Sequence, residues 1–136
     1  MKYLLDTDTC VYWLRGRTDV RDRWISEDPG SIAISIITVA ELYYGAAFSD
    51  RPEENRTAIN NLIEHVIVLQ VSKEAAEVFG NIKASLRKGG TLIEDIDLLI
   101  AGTALAYNLT LVTNNIRHFD RIPEIKIESW AEKQKE

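Results

Sequence analysis

Short apolar runs alternate with helical segments along this chain, and this alternation restricts the fold more than any other sequence feature. Four runs are apolar and partly β-branched, as expected for buried strands: Tyr3–Leu5, Ser31–Ser35, Val66–Val71 and Thr110–Thr113. Between them, apolar residues recur at helical spacing. Strands that alternate with helices form a parallel sheet with helices on both faces. The sequence therefore predicts an α/β/α sandwich, with Ile125–Ile127 as a short last strand.

Length and composition are those of a single globular domain. The 136 residues suffice for one domain with a proper core and are too few for two ordinary domains. The hydrophobic fraction of 46% and the charged fraction of 27% are typical of a soluble domain. We therefore expect residues 1–136 to form one domain, without repeats, low-complexity tracts or an interdomain linker.

Several sequence features favour a cytoplasmic protein. The first residues contain one Lys and only a short apolar run, which is no signal peptide, and no apolar run approaches membrane-spanning length. One cysteine, Cys10, excludes an internal disulfide and suggests no thiolate zinc site. The formal net charge of −5 argues against a general nucleic-acid coat, although a local basic rim can still surround an acidic site.

Polar side chains, most of them acidic, follow several of the predicted strands. Asp6 ends the first strand, and Glu41 lies in the helix that begins after the second. Asp97 lies in the first turn of the apolar helix that precedes the fourth strand, and Asn115 follows that strand. In an open parallel sheet, ligands bind beyond the carboxyl ends of the strands. Clustered carboxylates at that edge need a counter-charge, which Mg²⁺ or Mn²⁺ supplies.

Each acidic residue also has a purely structural interpretation. Asp6 or Asp8 is a favoured helix N-cap, and Glu41 can face solvent from its helix. Asp95 and Asp97 are favourable charges at a helix N-terminus. The carboxylates indicate a shared cation only when they are taken together.

Four stretches, in family order and at family spacing, make the chain similar to PIN-domain proteins, and more closely to the VapC toxins of bacterial and archaeal toxin–antitoxin pairs. They are LLDTD, SIITVAELYYGA, FGNIKASLRKGG with IEDIDLLIAGTA, and LVTNNIRHFDRI, and they cover nearly the whole chain. The resemblance implies an α/β/α sandwich and a Mg²⁺-dependent endoribonuclease. It also implies a VapB-like antitoxin partner, a homodimer, an RNA substrate such as tRNA, and DNA contact only through the antitoxin.

The resemblance also assigns roles to particular residues. By position, Asp6, Glu41 and Asp97 match the three acidic metal ligands of the family and are expected to be catalytic. Asn115 stands where many PIN domains have a fourth acid, so it is expected to bind a cation only through water. Asp95 is expected close to the site, and Thr7 and Thr113 are expected to hold the acidic loops by hydrogen bonds.

The residue types favour hydrolysis by an activated water over attack by a protein nucleophile. Cys10 lies in an apolar helix stripe, and the two histidines, His65 and His118, do not suggest a histidine-pair ribonuclease. His118 lies near the expected site, and we assign it a structural role. A bound cation would lower the pKa of water and stabilise charge on the phosphodiester, leaving a 5′-phosphate and a 3′-hydroxyl.

Basic residues occur before and after the acidic positions. If they rim the crevice, they would hold an RNA backbone that the carboxylates otherwise repel. If they do not, they simply solvate the surface. The residues are Arg15, Arg17, Arg21, Arg23, Arg87, Lys88, Arg117 and Arg121.

Two other functions stay open at this point. An Asp-x-Asp sequence after the first strand approximates a haloacid-dehalogenase-type phosphotransferase, in which Asp is a covalent nucleophile. That interpretation lacks a convincing later Lys and leaves Glu41 unexplained. A non-catalytic dimeric interaction module could instead use the apolar faces at Tyr43, Tyr44 and Phe48. Metal-dependent RNA cleavage would separate a nuclease from both.

Overall fold

A sheet of five parallel strands forms the centre of the computed structural model, which describes residues 1–132. The strands are β1 (Tyr3–Leu5), β2 (Ile32–Ser35), β3 (Ile67–Leu69), β4 (Thr110–Val112) and β5 (Ile127–Glu128). They lie in the order β3-β2-β1-β4-β5, and every neighbouring pair is parallel. Because β1 is central and all carboxyl ends meet at one edge, Asp6 lies in the middle of that edge.

The described part of the chain contains seven α-helices. They are α1 (Thr7–Leu14), α2 (Thr18–Ser26), α3 (Ile36–Ala47), α4 (Pro52–Glu64), α5 (Lys73–Lys88), α6 (Asp95–Ala106) and α7 (Ile116–Phe119). Side chains that precede the first turn cap three of them. Asp6 accepts from the Thr7 amide, Ser35 from the Ile37 amide and Ser72 from the Ala75 amide. Two of these caps, Asp6 and Ser35, directly follow or end a strand, so the strand-to-helix turns at the sheet edge are well defined.

Different helices cover the two faces of the sheet. Successive strand residues point to opposite faces, so Tyr3 and Leu5 pack with α1–α4, whereas Leu4 packs with α5, α6 and α7. All residues of β1 and β2 are buried. The arrangement confirms the predicted α/β/α sandwich with a parallel sheet.

Helices α5 and α6 approach closely at Gly102. A Cβ atom at that position would lie 2.9 Å from the carbonyl oxygen of Ala75 and 3.4 Å from the backbone nitrogen of Phe79. The missing side chain therefore permits the contact that packs α6 against α5. Since Asp97 lies in the first turn of the same helix, this packing also fixes where Asp97 lies.

Three details differ from the sequence-based expectations. Strand β3 is shorter than Val66–Val71, because it lies at the edge of the sheet and has only β2 as a neighbour. The last strand is Ile127–Glu128 instead of Ile125–Ile127, and the short helix α7 follows β4, where the sequence indicates a turn at Asn114-Asn115. Within residues 1–132, no helix is long and apolar enough to cross a membrane. The expected single domain extends to residue 136, and its last four residues lie outside the described part.

Candidate active site

Asp6 is a buried carboxylate at the carboxyl end of β1. It accepts hydrogen bonds from the Thr7 amide at 2.7 Å and from the Thr113 hydroxyl at 3.0 Å, and it is 6% exposed. Burial, followed by the negative charge of Asp8, raises the pKa of Asp6 to about 7, and Asp97 acts in the same direction. Among the described residues, Asp6 forms no ion pair. Its negative charge therefore lacks a counter-charge.

Thr7 connects this carboxylate to Glu41 on α3. The Thr7 hydroxyl donates to Glu41 Oε1 at 2.6 Å and lies 3.2 Å from the buried hydroxyl of Thr38. The half-buried Glu41 side chain is therefore turned toward the acidic edge, and its alternative interpretation as a freely solvated helix residue does not hold. The contacts of Thr7 and Thr113 are of the kind that we expect to hold the acidic loops.

Asp97 lies in the first turn of α6 and pairs with a histidine on α7. Asp97 Oδ2 is 2.8 Å from His118 Nε2, and both side chains are 25% exposed. The sequence alone indicates only a structural role for His118, whereas the structure places its ring against one of the expected metal ligands. The available sequence signal was its position just after β4, beside Asn115.

Asp8 joins the start of α1 to the loop after β4. Its carboxylate accepts hydrogen bonds from the Asn114 amide at 3.0 Å and from the Thr9 hydroxyl at 3.3 Å. In the same loop, the Asn115 amide donates to the Thr113 hydroxyl at 3.1 Å. Burial raises the pKa of Asp8 as well. A second, partly buried carboxylate therefore lies next to Asp6, at a position that the sequence suggests as a helix cap or as part of an Asp-x-Asp sequence.

Two of the further candidates are not brought into the acidic set. The Asp95 carboxylate is exposed and forms an ion pair with Lys83 of α5 at 2.9 Å. Asn115 is exposed, and its side chain does not cap α7, so its one hydrogen bond toward the site comes from its backbone. Among the described residues, neither side chain forms a hydrogen bond with Asp6.

Most arginines that follow α1 form ion pairs or hydrogen bonds within the fold. Arg17 forms an ion pair with Asp19, and Arg23 forms ion pairs with Glu27 and Glu128. Arg21 donates to the carbonyl of Trp13 and stacks on its ring. The exposed Arg15 is different, because it lines a cavity of about 300 Å³ together with Thr7 and Glu41. Of the four arginines between positions 15 and 23, Arg15 is therefore the one that the structure places beside an acidic candidate.

The chemistry of the donor set fits a hard divalent cation. Asp6, Glu41 and Asp97 offer only carboxylate oxygens, and the buried Asp6 has an elevated pKa that a cation would lower. The three do not form a closed cluster, because within residues 1–132 no three His, Cys, Asp or Glu side chains are arranged to hold a metal ion. Glu41 is bound to Thr7 and Asp97 to His118. Within residues 1–132, each of these two carboxylates is hydrogen-bonded through one oxygen atom only.

Comparisons with known proteins show the family of this chain. The PIN domain family model matches residues 3–125. Ribonuclease VapC2 of Haemophilus influenzae is 40% identical over 132 residues, covering 96% of this chain and 99% of the relative. The tRNA(fMet)-specific endonuclease VapC of Salmonella typhimurium is 39% identical over 132 residues, with the same coverage of 96% and 99%.

Solved structures give the same result. DNA-bound VapBC from Salmonella typhimurium superposes with a TM-score of 0.92 at 39% identity, covering 96% of this chain and 99% of that one. VapBC2 from Rickettsia felis, bound to a DNA fragment from its promoter, superposes with a TM-score of 0.88 at 34% identity, covering 96% and 100%. The chain therefore belongs to the PIN-domain family and, within it, to the VapC ribonucleases.

Proposed function

We propose that this protein is the ribonuclease toxin of a VapBC-type pair and that it hydrolyses RNA phosphodiesters at the edge of the sheet where Asp6 lies. The observation that carries the proposal is the buried Asp6 carboxylate, which has no counter-charge among the described residues and is linked to Glu41 through Thr7. Asp97 acts on the same carboxylate electrostatically. This arrangement suits the binding of a cation, because the buried Asp6 carboxylate has a raised pKa that a bound cation would lower.

Mg²⁺ is the proposed cation, and Mn²⁺ is expected to replace it. Asp6, Glu41 and Asp97 would hold the ion through carboxylate oxygens, the donors that both metals prefer. A divalent cation bound there would lower the pKa of a bound water molecule and stabilise negative charge on the phosphodiester. Cleavage on this basis leaves a 5′-phosphate and a 3′-hydroxyl.

The surrounding residues orient these carboxylates and meet the RNA. The Thr7 amide and the Thr113 hydroxyl hold Asp6 in one orientation, and the Thr7 hydroxyl does the same for Glu41. Arg15, beside Glu41, is placed to attract a phosphate that the carboxylates would otherwise repel.

The proposed substrate class and partners follow from the relatives. One relative is named a tRNA(fMet)-specific endonuclease, and we propose a structured RNA such as tRNA for this protein. The similar VapBC structures contain DNA. We propose a VapB-like antitoxin that mediates DNA contact, a homodimeric toxin and a cytoplasmic site of action, where RNA is available.

Neither alternative function gains support. Family membership gives no basis for a phosphotransferase with a covalent aspartate. Tyr44 and Phe48 are 70% and 82% exposed and stacked, so an apolar face is exposed at the end of α3, but a toxin that binds an antitoxin also needs such a face.

The test is RNA cleavage by purified protein with chelator or with Mg²⁺. Wild type is expected to cleave only with Mg²⁺, and Asp6→Asn and Asp97→Asn are expected to lose at least roughly 100-fold in rate, beyond what outer-shell substitutions usually cost. Asp95→Asn is the matched control, because it removes the same charge in the same turn from a residue paired with Lys83. Wild-type turnover by Asp6→Asn at limiting Mg²⁺, or equal losses in Asp95→Asn and Asp97→Asn, would contradict the assignment. Circular dichroism spectra check that each variant folds.

A further inference from the structure

We propose that His118 is a positioning residue that orients the Asp97 carboxylate for cation binding. The proposal rests on the proposed function in one respect, namely that Asp97 is a metal ligand. It goes beyond that function because it gives a role in cation affinity to a residue outside the carboxylate set.

The observation is a short contact between two separate helices. His118 Nε2 on α7 lies 2.8 Å from Asp97 Oδ2 on α6, across 21 residues of sequence. Within residues 1–132, His118 is the one side chain that forms a hydrogen bond or ion pair with Asp97. The Asp97 oxygen atom Oδ1 is left for another partner.

Both ends of this contact are on well-packed elements. The His118 ring packs edge-on against Phe119, with 5.4 Å between the ring centroids, and the Phe119 side chain is fully buried. The His118 amide also donates to the Asn115 carbonyl at 3.1 Å. On the other side, α6 is held against α5 through Gly102. The position of each partner is therefore set by core packing, which distinguishes this pair from an exposed ion pair.

The physical effect of such a contact is to select one orientation of a carboxylate. A ligating carboxylate that is also hydrogen-bonded loses less rotational freedom on binding, and removal of outer-shell partners typically costs 10–100-fold in metal affinity or activity. A surface ion pair of purely structural value would contribute little to stability and would leave cation affinity unchanged. Cation affinity in the absence of RNA therefore separates the two roles.

The experiment measures Mg²⁺ binding without RNA, by calorimetry and by the cation-induced rise in melting temperature. His118→Phe keeps a ring but removes the donor, and His118→Gln retains a donor at a similar reach. We expect affinity to fall roughly 10–100-fold in His118→Phe and to be largely restored in His118→Gln. The matched control is His65→Phe, since His65 is the other histidine of the chain and bonds to Asn61 at the end of α4.

The possible outcomes separate this proposal from the proposed function. Unchanged or tighter Mg²⁺ binding by His118→Phe overturns the positioning role, as does a loss of RNA cleavage with unchanged cation affinity, which would assign His118 to RNA contact. An equal loss in His65→Phe also overturns it. If wild type itself binds no Mg²⁺, the proposed metal site fails and this proposal fails with it. Should His118→Phe not fold with chelator, His118→Ser removes the donor without adding apolar surface and serves the same comparison.

Discussion

At the scale of single residues, burial of the Asp6 carboxyl should make the stability of the protein depend on pH. The folded-state pKa of Asp6 is about 7, well above its ordinary value of 3.8, mainly because the carboxyl is buried. The contribution of such a group to the stability of the fold is fully present below pH 3.8 and is lost as pH rises through 7. With chelator present, we expect the stability of wild type to decline between about pH 4 and pH 7, at up to roughly 1.4 kcal/mol per pH unit.

The measurement is a series of thermal melts in chelator, with Asp6→Asn as the reference. Lowered pKa values of Asp19 and Glu27 act in the opposite direction at more acidic pH, so the difference between the two proteins isolates Asp6. We expect Asp6→Asn to be increasingly more stable than wild type as pH rises toward 7. A constant difference in melting temperature between the two proteins across this pH range would contradict the expected effect of burying Asp6.

The residue scale also shows what the sequence could and could not reveal. The positions of Asp6 and Glu41 near the carboxyl edge of the sheet could be predicted, because each residue follows the end of a strand. The pairs Asp97–His118 and Asp8–Asn114 could not, because they join residues 21 and 106 positions apart. Their geometry depends on how α6, α7 and the loop after β4 pack, which local patterns do not encode.

At the scale of elements, the most sensitive contact lies between α5 and α6. A methyl group at Gly102 would lie 2.9 Å from the Ala75 carbonyl oxygen, which is backbone and cannot turn away. We expect Gly102→Ala to destabilise the protein by about 1–3 kcal/mol, the usual cost of overpacking, and to shift Asp97 with α6. Urea denaturation measures the change.

Gly80 provides the control for this substitution. It is exposed on α5, and a Cβ there meets no atom within 4 Å. Gly80→Ala should therefore stabilise the protein by about 0.5–1 kcal/mol, because alanine is the better helix former. If Gly102→Ala behaved like Gly80→Ala, the close approach of the two helices would not be needed.

Elements differed in how well the sequence predicts them. The longer helices and the central strands were predictable because their apolar spacing is clear, and Ser35 and Ser72 cap two of these helices. Helix α7 was not, since it has four residues and no side-chain cap. Strand β3 was predicted too long, because its apolar residues continue beyond the pairing that an edge position allows.

At the scale of the whole molecule, both packed layers share one sheet. Trp24 and Trp130 are buried in the layer of α1–α4, and Trp13 packs against it, so fluorescence reports on this side. Circular dichroism reports on the helices of both sides. We expect the two signals to give the same urea midpoint, because neither layer can keep its core without the sheet. Separate midpoints would contradict the expectation of one domain over residues 1–136.

The order of the strands has a consequence for synthesis on the ribosome. The central strand β1 is made before every other strand, whereas its neighbour β4 is made more than 100 residues later, and Asp6 meets its partner Thr113 across 107 residues. At about 5–20 residues per second, the ribosome needs roughly 5–20 s to supply that partner. The acidic edge is therefore completed only after β4 has been made, and we expect a chain that lacks β4 to leave the surrounding RNA uncut. A fragment that stops before β4 should accordingly leave cell growth unaffected when it is induced.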